Sequence, residues 1–246
     1  MAATCYVLVH GSWMGGEAWD SVATRLRSVH GLEVHTPTQA GHGPDAASRQ
    51  VTHDEAVQSI VDYIEDKDLT DFVLLGHSFG GTIIQKVAEA IPQRIRRLVF
   101  WNAFVLEDGE CLNDHVPPGF GDMFDALRKD APDDAVVLPY PVFRDAFMND
   151  ADAQLAKAVH DGLFPECIGL FDTRVSLKTF GRLDMPKSYL YSWDDAALPH
   201  GESTGWYPKF ANRLGLFRYV SMPGGHMALF TLPDVLADKI VEAGRD

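Results

Sequence analysis

Short continuous runs of apolar, β-prone residues alternate along this chain with longer stretches in which apolar positions recur every three to four residues. The runs cover Cys5 to His10, Leu32 to Pro37, Phe72 to Gly76, Arg97 to Trp101, Ser188 to Trp193 and Phe217 to Ser221. A strand with one face in water would alternate apolar and polar residues. Phe72-Val73-Leu74-Leu75 does not, so that run is predicted to be buried on both faces, as a strand of a parallel sheet is. Between them the spacing predicts helices. One carries Trp19, Val22, Ala23 and Leu26; another opens on Thr52 and Glu55, a capping box, and continues through Ala56, Val57, Ile60, Val61 and Ile64. A third carries Ile83, Ile84, Val87, Ala88 and Ile91 and stops at Pro92; the last begins near Thr231, with Pro233 early and Leu236 and Ile240 buried. The alternation predicts an α/β protein with a doubly wound, mostly parallel sheet of about six strands.

The alternation breaks between residues 108 and 183. Prolines, acids and aromatics mix there without a clear strand, and Phe120, Met123, Phe124, Leu127, Phe143, Phe147, Leu163 and Phe164 give the segment an apolar, helical character. Leu138-Pro139-Tyr140-Pro141 is expected to be a stiff connector. An insertion after the strand ending at Trp101 would lie over the carboxyl ends of the strands, where open α/β sheets hold ligands. The expected organisation is therefore a core of residues 1–107 and 184–246 with a lid, or cap, of residues 108–183.

Composition narrows the partners. With 246 residues and 46% hydrophobic content the chain can bury one sizeable core. A formal net charge of -14 speaks against nucleic acid or an anionic membrane surface as partner. A small, neutral molecule fits that balance better. No apolar stretch is long enough to cross a bilayer, and the start of the chain lacks a basic region followed by a cleavage site, so the expected compartment is the cytoplasm. Cys5, Cys111 and Cys167 are odd in number and widely spaced, which suits reduced thiols rather than a disulfide framework or a zinc site. The oligomeric state is left open, a homodimer included.

The chemistry is concentrated in Gly76-His77-Ser78-Phe79-Gly80, which joins a predicted buried strand to a predicted helix. In so tight a turn, side chains two residues before and two after Ser78 would collide with the flanking elements, so glycine is expected at both places. The turn would lift the Ser78 hydroxyl towards a base and leave backbone N–H groups at a helix N-terminus, where they can hold an oxyanion. The base is expected on the glycine-rich loop Pro223-Gly224-Gly225-His226-Met227, after the last strand. Asp194 or Asp195, just past Trp193, would orient it; Asp194 is preferred as the first residue beyond the apolar run. The two oxyanion donors are expected to be the N–H groups of Phe79 and of Ser12, in the loop His10-Gly11-Ser12-Trp13. Neither a dinucleotide fingerprint nor a phosphate loop is present, so no cofactor is implied.

On these stretches, Val7 to Trp19, Val73 to Gly81, Leu98 to Val105, Tyr189 to Pro199 and Gly224 to Met227, the sequence resembles the α/β-hydrolase superfamily. Within it, the chain is similar to the small esterase and hydroxynitrile lyase group that includes plant methylesterases. The resemblance implies a Ser78, Asp194, His226 triad, no metal, no organic cofactor and a helical cap over an apolar pocket. Lyases of the rubber-tree type carry threonine and lysine where this chain has Gly11 and Met227, which favours the esterase branch. The expected substrate is a small apolar ester, lactone or carbamate, bound among Gly11, Trp13, Phe124 and Met227. Two alternatives on the same fold are a cofactor-free dioxygenase or lyase, and a receptor that binds a small ligand without turning it over. Trp206 and Tyr207 could cover the pocket, pair with another subunit or fill a surface groove, the last being the expectation.

Overall fold

The computed structural model describes residues 4–246; the first three, part of the stretch read above as lacking a leader, lie outside the described residues. Eight strands occur among them: β1 (Cys5–Val9), β2 (Glu33–His35), β3 (Phe72–Ser78), β4 (Ile95–Ala103), β5 (Ala135–Val136), β6 (Glu166–Cys167), β7 (Lys187–Ser192) and β8 (Arg218–Met222). Six form one sheet in the order β2-β1-β3-β4-β7-β8, every neighbouring pair parallel. The six apolar runs read from the sequence are these six strands. All seven residues of β3 are buried, as a strand covered on both faces requires.

Three helices follow early strands: α1 (Asp20–Ser28), α2 (His53–Asp66) and α3 (Gly80–Ala90). α2 packs beside α3, and α1 beside the C-terminal helix Pro233–Gly244, so each pair shares a face of the sheet. The Thr52 capping box forms as its spacing indicated: the Thr52 hydroxyl accepts from the Glu55 N–H at 3.2 Å, and the Glu55 carboxylate accepts from the Thr52 N–H at 2.7 Å. The chain passes from β1 to β2 on one side and then crosses to β3 on the other. That change of direction opens a crevice beyond the carboxyl ends of β1 and β3, where such sheets bind ligands.

Between β4 and β7 the chain leaves the sheet. It forms the helices Pro118–Leu127 and Ala153–Asp161, shorter helical turns, and the antiparallel pair β5–β6. Periodicity did not reveal that two-residue pair. Leu138 to Pro141 is more than a connector: Leu138 is buried, and Tyr140 opens a helical turn that runs into Phe143–Phe147. Pro141 sits in the first turn, where its missing N–H has no partner to lose.

The segment after β4 is tied to the core by Glu110. Its carboxylate accepts from Arg213 at 2.5 and 3.1 Å, from the Glu107 N–H at 2.9 Å and from His115 at 2.9 Å. Burial would raise its pKa, but the bonds from Arg213, Glu107 and His115 outweigh that and hold it at about 2. A depressed carboxyl contributes stability above its unfolded value of about 4.3 and loses it as pH falls towards its folded value. Glu110→Gln is therefore expected to lower stability by about 1–2 kcal/mol at neutral pH and by much less near pH 2. Denaturant melts at the two pH values measure this; equal losses at both would contradict it.

Candidate active site

Ser78 ends β3 with φ at +54°, a left-handed backbone that residues other than glycine rarely adopt. The surrounding glycines show what holds it there. A Cβ on Gly76 would come within 2.6 Å of the Gly80 carbonyl oxygen, and one on Gly80 within 2.6 Å of the His10 carbonyl oxygen. Side chains at either place would push β3, α3 and the loop after β1 apart. Gly11 lies against the nucleophile candidate itself, since a Cβ there would be 3.0 Å from the Ser78 Cβ. Phe79 caps α3, so its N–H has no acceptor one helical turn back. The loop carrying Gly11 and Ser12 and the first turn of α3 thus face Ser78 together.

His226 is buried on the loop after β8, and its Nδ1 lies 2.6 Å from Asp195 Oδ2. This corrects the expectation for Asp194. β7 ends at Ser192, and a turn in which the Asp195 N–H reaches the Ser192 carbonyl leaves Trp193 and Asp194 exposed and folds Asp195 back under the sheet. The exposed Asp194 instead holds the backbone of the histidine loop: its carboxylate accepts from the Gly224 N–H at 2.9 Å, and its own N–H donates to the Gly224 carbonyl at 3.2 Å. Asp195 Oδ1 accepts from the Ala197 N–H at 2.8 Å, and Oδ2 takes a second bond from Asn102 Nδ2 at 2.5 Å. Asn102 was not picked out from the sequence. Its signal is an amide inside the otherwise apolar run of β4, buried where only a partner would justify it.

Two more buried histidines brace the loops of the site, His77 beside His226 and His10 just past β1. Burial, with His226 alongside, holds the His77 imidazole well below the usual histidine range. It is neutral, and its Nε2–H donates to the His226 carbonyl at 3.1 Å, which fixes the loop from below. His10, held at about 3 chiefly by burial, accepts from the Gln39 N–H through Nε2 at 3.1 Å. Both therefore brace the two loops as neutral groups.

Ser78 and Ser12 open on a narrow cavity with about 40 Å³ free to the centres of water-sized molecules. Its other walls are apolar: Trp13, Phe104, Phe124, Phe147, Phe171 and Trp206 among them, and no charged side chain. Trp13 and Phe124 thus stand where substrate contacts were expected. Met227 does not line the cavity; its N–H donates to the Phe147 carbonyl, and Phe147 supplies the wall. Trp206 is not in a surface groove, as expected from sequence, but 3% exposed, lining the cavity and stacked on the His226 ring at 5.3 Å. Phe147 meets the same imidazole edge-on at 5.1 Å. The histidine is thus walled by two rings that also border the cavity beside Ser78. The one group of metal-ligand type among the described residues, Cys5, Glu33 and His35, joins the first residue of β1 to the edge strand β2, away from this mouth.

The fold has known counterparts. The sequence profile of the Alpha/beta hydrolase family matches residues 6–239. A carbendazim hydrolyzing esterase from Nocardioides sp. is 29% identical over 248 residues, covering 97% of this chain and 99% of that protein. A pyrethroid hydrolase from Sphingobium wenxiniae is 25% identical, with 98% of this chain and 88% of that one covered. Among solved structures, an extracellular alpha/beta-hydrolase from a Paenibacillus species superposes with a TM-score of 0.95 at 42% identity, covering 99% of this chain and all of that one. That protein is described as sharing structural and functional homology with tobacco salicylic acid binding protein 2. No helix among the described residues is long and apolar enough to cross a membrane.

Proposed function

This chain belongs to the Alpha/beta hydrolase family, and from that premise we propose that it is a carboxylic ester hydrolase that forms an acyl-enzyme on Ser78. The observation that carries the reading is the buried Asp195–His226 pair, walled by the same aromatic rings that border the cavity onto which Ser78 opens. His226 takes the proton from Ser78 as the hydroxyl attacks a substrate carbonyl, and the N–H groups of Ser12 and Phe79 hold the resulting oxyanion. His226 then protonates the leaving group and activates water for deacylation. Asp195, held by Asn102, Ala197 and His226, remains the anion that stabilises the imidazolium. No step calls for a metal or an organic cofactor.

The substrate class follows from the walls. An aromatic cavity without a charged side chain selects by burial and shape, which favours a small, neutral, largely apolar ester, lactone or carbamate. Residues 108–183 act as the cap over a core of residues 1–107 and 184–246: Leu112, Val116, Phe124 and Phe171 of that segment close the cavity opposite Ser12 and Ser78. Relatives named as an esterase and a hydrolase support hydrolysis, and Gly11 and Met227, in place of the threonine and lysine of rubber-tree lyases, weigh against the lyase alternative.

A panel of neutral esters, lactones and carbamates, followed by acid release in an oxygen-electrode cell, tests the reading. Acid is expected to accumulate with no oxygen uptake. Oxygen consumption, or tight binding of every panel member without turnover, would overturn it.

A further inference from the structure

Trp13 directly follows Ser12, and its backbone is left-handed, at φ +62°. Tryptophan holds that conformation only where its surroundings impose it. Here each of its polar groups is engaged by the stretch that carries β5 and β6. The Trp13 N–H donates to Glu166 Oε2 at 2.8 Å, its carbonyl accepts from the Phe164 N–H at 2.9 Å, and its indole N–H donates to the Val136 carbonyl at 3.0 Å.

Glu166 is 1% exposed and has a second partner. His42 Nε2 lies 3.0 Å from both of its carboxylate oxygens, while His42 Nδ1 lies 3.0 Å from the Ala40 carbonyl oxygen. A carbonyl oxygen can only accept, and Glu166 already accepts from Trp13. Nδ1 of His42 therefore carries a proton, and with Glu166 ionised Nε2 faces an acceptor too, which makes the ring an imidazolium beside a carboxylate. Burial disfavours that charge, but Glu166 outweighs burial and raises the His42 pKa above its usual value. The other groups facing His42 are His10, neutral with its ring 5.1 Å away, and Arg49, whose guanidinium is bound to the carbonyls of Gly41 and Gly43. The His42 ring also stacks on Phe79, with centroids 6.2 Å apart and planes 22° apart. One ion pair thus touches the residue after one proposed oxyanion donor and the ring of the other.

We propose that His42 and Glu166 are positioning residues for the oxyanion hole: their buried ion pair clamps Trp13 in its left-handed conformation and so aims the Ser12 N–H. Neither touches substrate. The clamp rests on the acyl-enzyme reading and adds to it a dependence on the protonation of His42. His42 must be charged to hold Glu166, so the rate profile gains an alkaline limb as pH rises through its raised pKa and the imidazolium is lost.

The test compares wild type with Glu166→Gln and His42→Gln, using ester hydrolysis and ring-nitrogen NMR of His42. Both variants are expected to lose about ten- to hundredfold in kcat with KM within about twofold, because the missing interaction bears on the transition state. Glu166→Asp is expected to recover part of the loss. The alkaline limb of the wild type should be absent from both glutamine variants. The NMR is read on wild type, so it holds even if a variant fails to fold: two protonated ring nitrogens on His42 are expected at neutral pH, and one would overturn the clamp. Variants with wild-type kcat and an unchanged alkaline limb would also overturn it. Failure of the underlying reading looks different, since wild-type Ser78 would then take no fluorophosphonate.

Discussion

Ser78→Ala is expected to lower ester hydrolysis by about 10⁴-fold or more while leaving the melting temperature nearly unchanged. The size of the effect comes from the acyl-enzyme route: without the hydroxyl, neither acylation nor proton transfer to His226 can occur, and only the oxyanion donors and the pocket remain to act on water. The small effect on stability comes from the position. Ser78 pays for a left-handed backbone at the tip of a turn, and its side chain opens on the cavity rather than filling the core. Steady-state kinetics with the best substrate of the panel, beside a thermal melt, separate the two quantities. Hydrolysis within tenfold of wild type in a folded variant would remove Ser78 from the mechanism.

Asp195→Asn is expected to lower kcat by about 10⁴-fold, whereas Asp194→Asn should stay within about tenfold. The contrast follows from what each carboxylate holds. Asp195 faces the Nδ1 of His226 inside the protein, and an amide there can present its NH₂ to the ring and favour the wrong tautomer. It also leaves Asn102 facing another amide across 2.5 Å. Asp194 holds only the Gly224 backbone and is exposed, so water can replace part of its bond. Losses of equal size in the two variants would contradict the assignment, as would a larger loss in Asp194→Asn.

The reach of the sequence differed from one part of the site to another. Alternation of short β-prone runs with helical spacing identified all six strands of the sheet: β3, buried throughout, is apolar along most of its length, whereas the edge strands β2 and β8, with Glu33 and Tyr219 exposed, are legible by their place in the alternation. Ser78 and its glycines were legible for a related reason: the turn leaves no room for a Cβ at Gly76 or Gly80, so steric necessity is written into the residues themselves. The choice between Asp194 and Asp195 was not legible. It depends on a turn at Ser192 that buries one of two identical side chains, and adjacent identical residues carry no signal of which way a loop folds. Trp206 was misjudged because a tryptophan in a long loop reads the same whether it covers a groove or stacks on a histidine of another loop. Glu166 was hidden for a similar reason. β6 is two residues long, too short for any period, and its partners, His42 and Trp13, lie 124 and 153 residues away in the chain.

These misses share a property. Each concerns a side chain whose role is set by contacts between segments far apart in sequence, at the place where the loops after β1, β3, β7 and β8 converge with residues 108–183. Local chemistry supplied the nucleophile turn and the histidine loop; the acid, the ring over His226 and the clamp on Trp13 come from how the chain closes around them.

The central claim is that Ser78 is an activated nucleophile. Intact-mass analysis after treatment with a serine-directed fluorophosphonate tests it most directly, on wild type and on Ser78→Ala in parallel. One adduct on the wild type and none on the folded variant is the result the acyl-enzyme reading predicts. An unlabelled wild type, or an adduct that persists in Ser78→Ala, would contradict it.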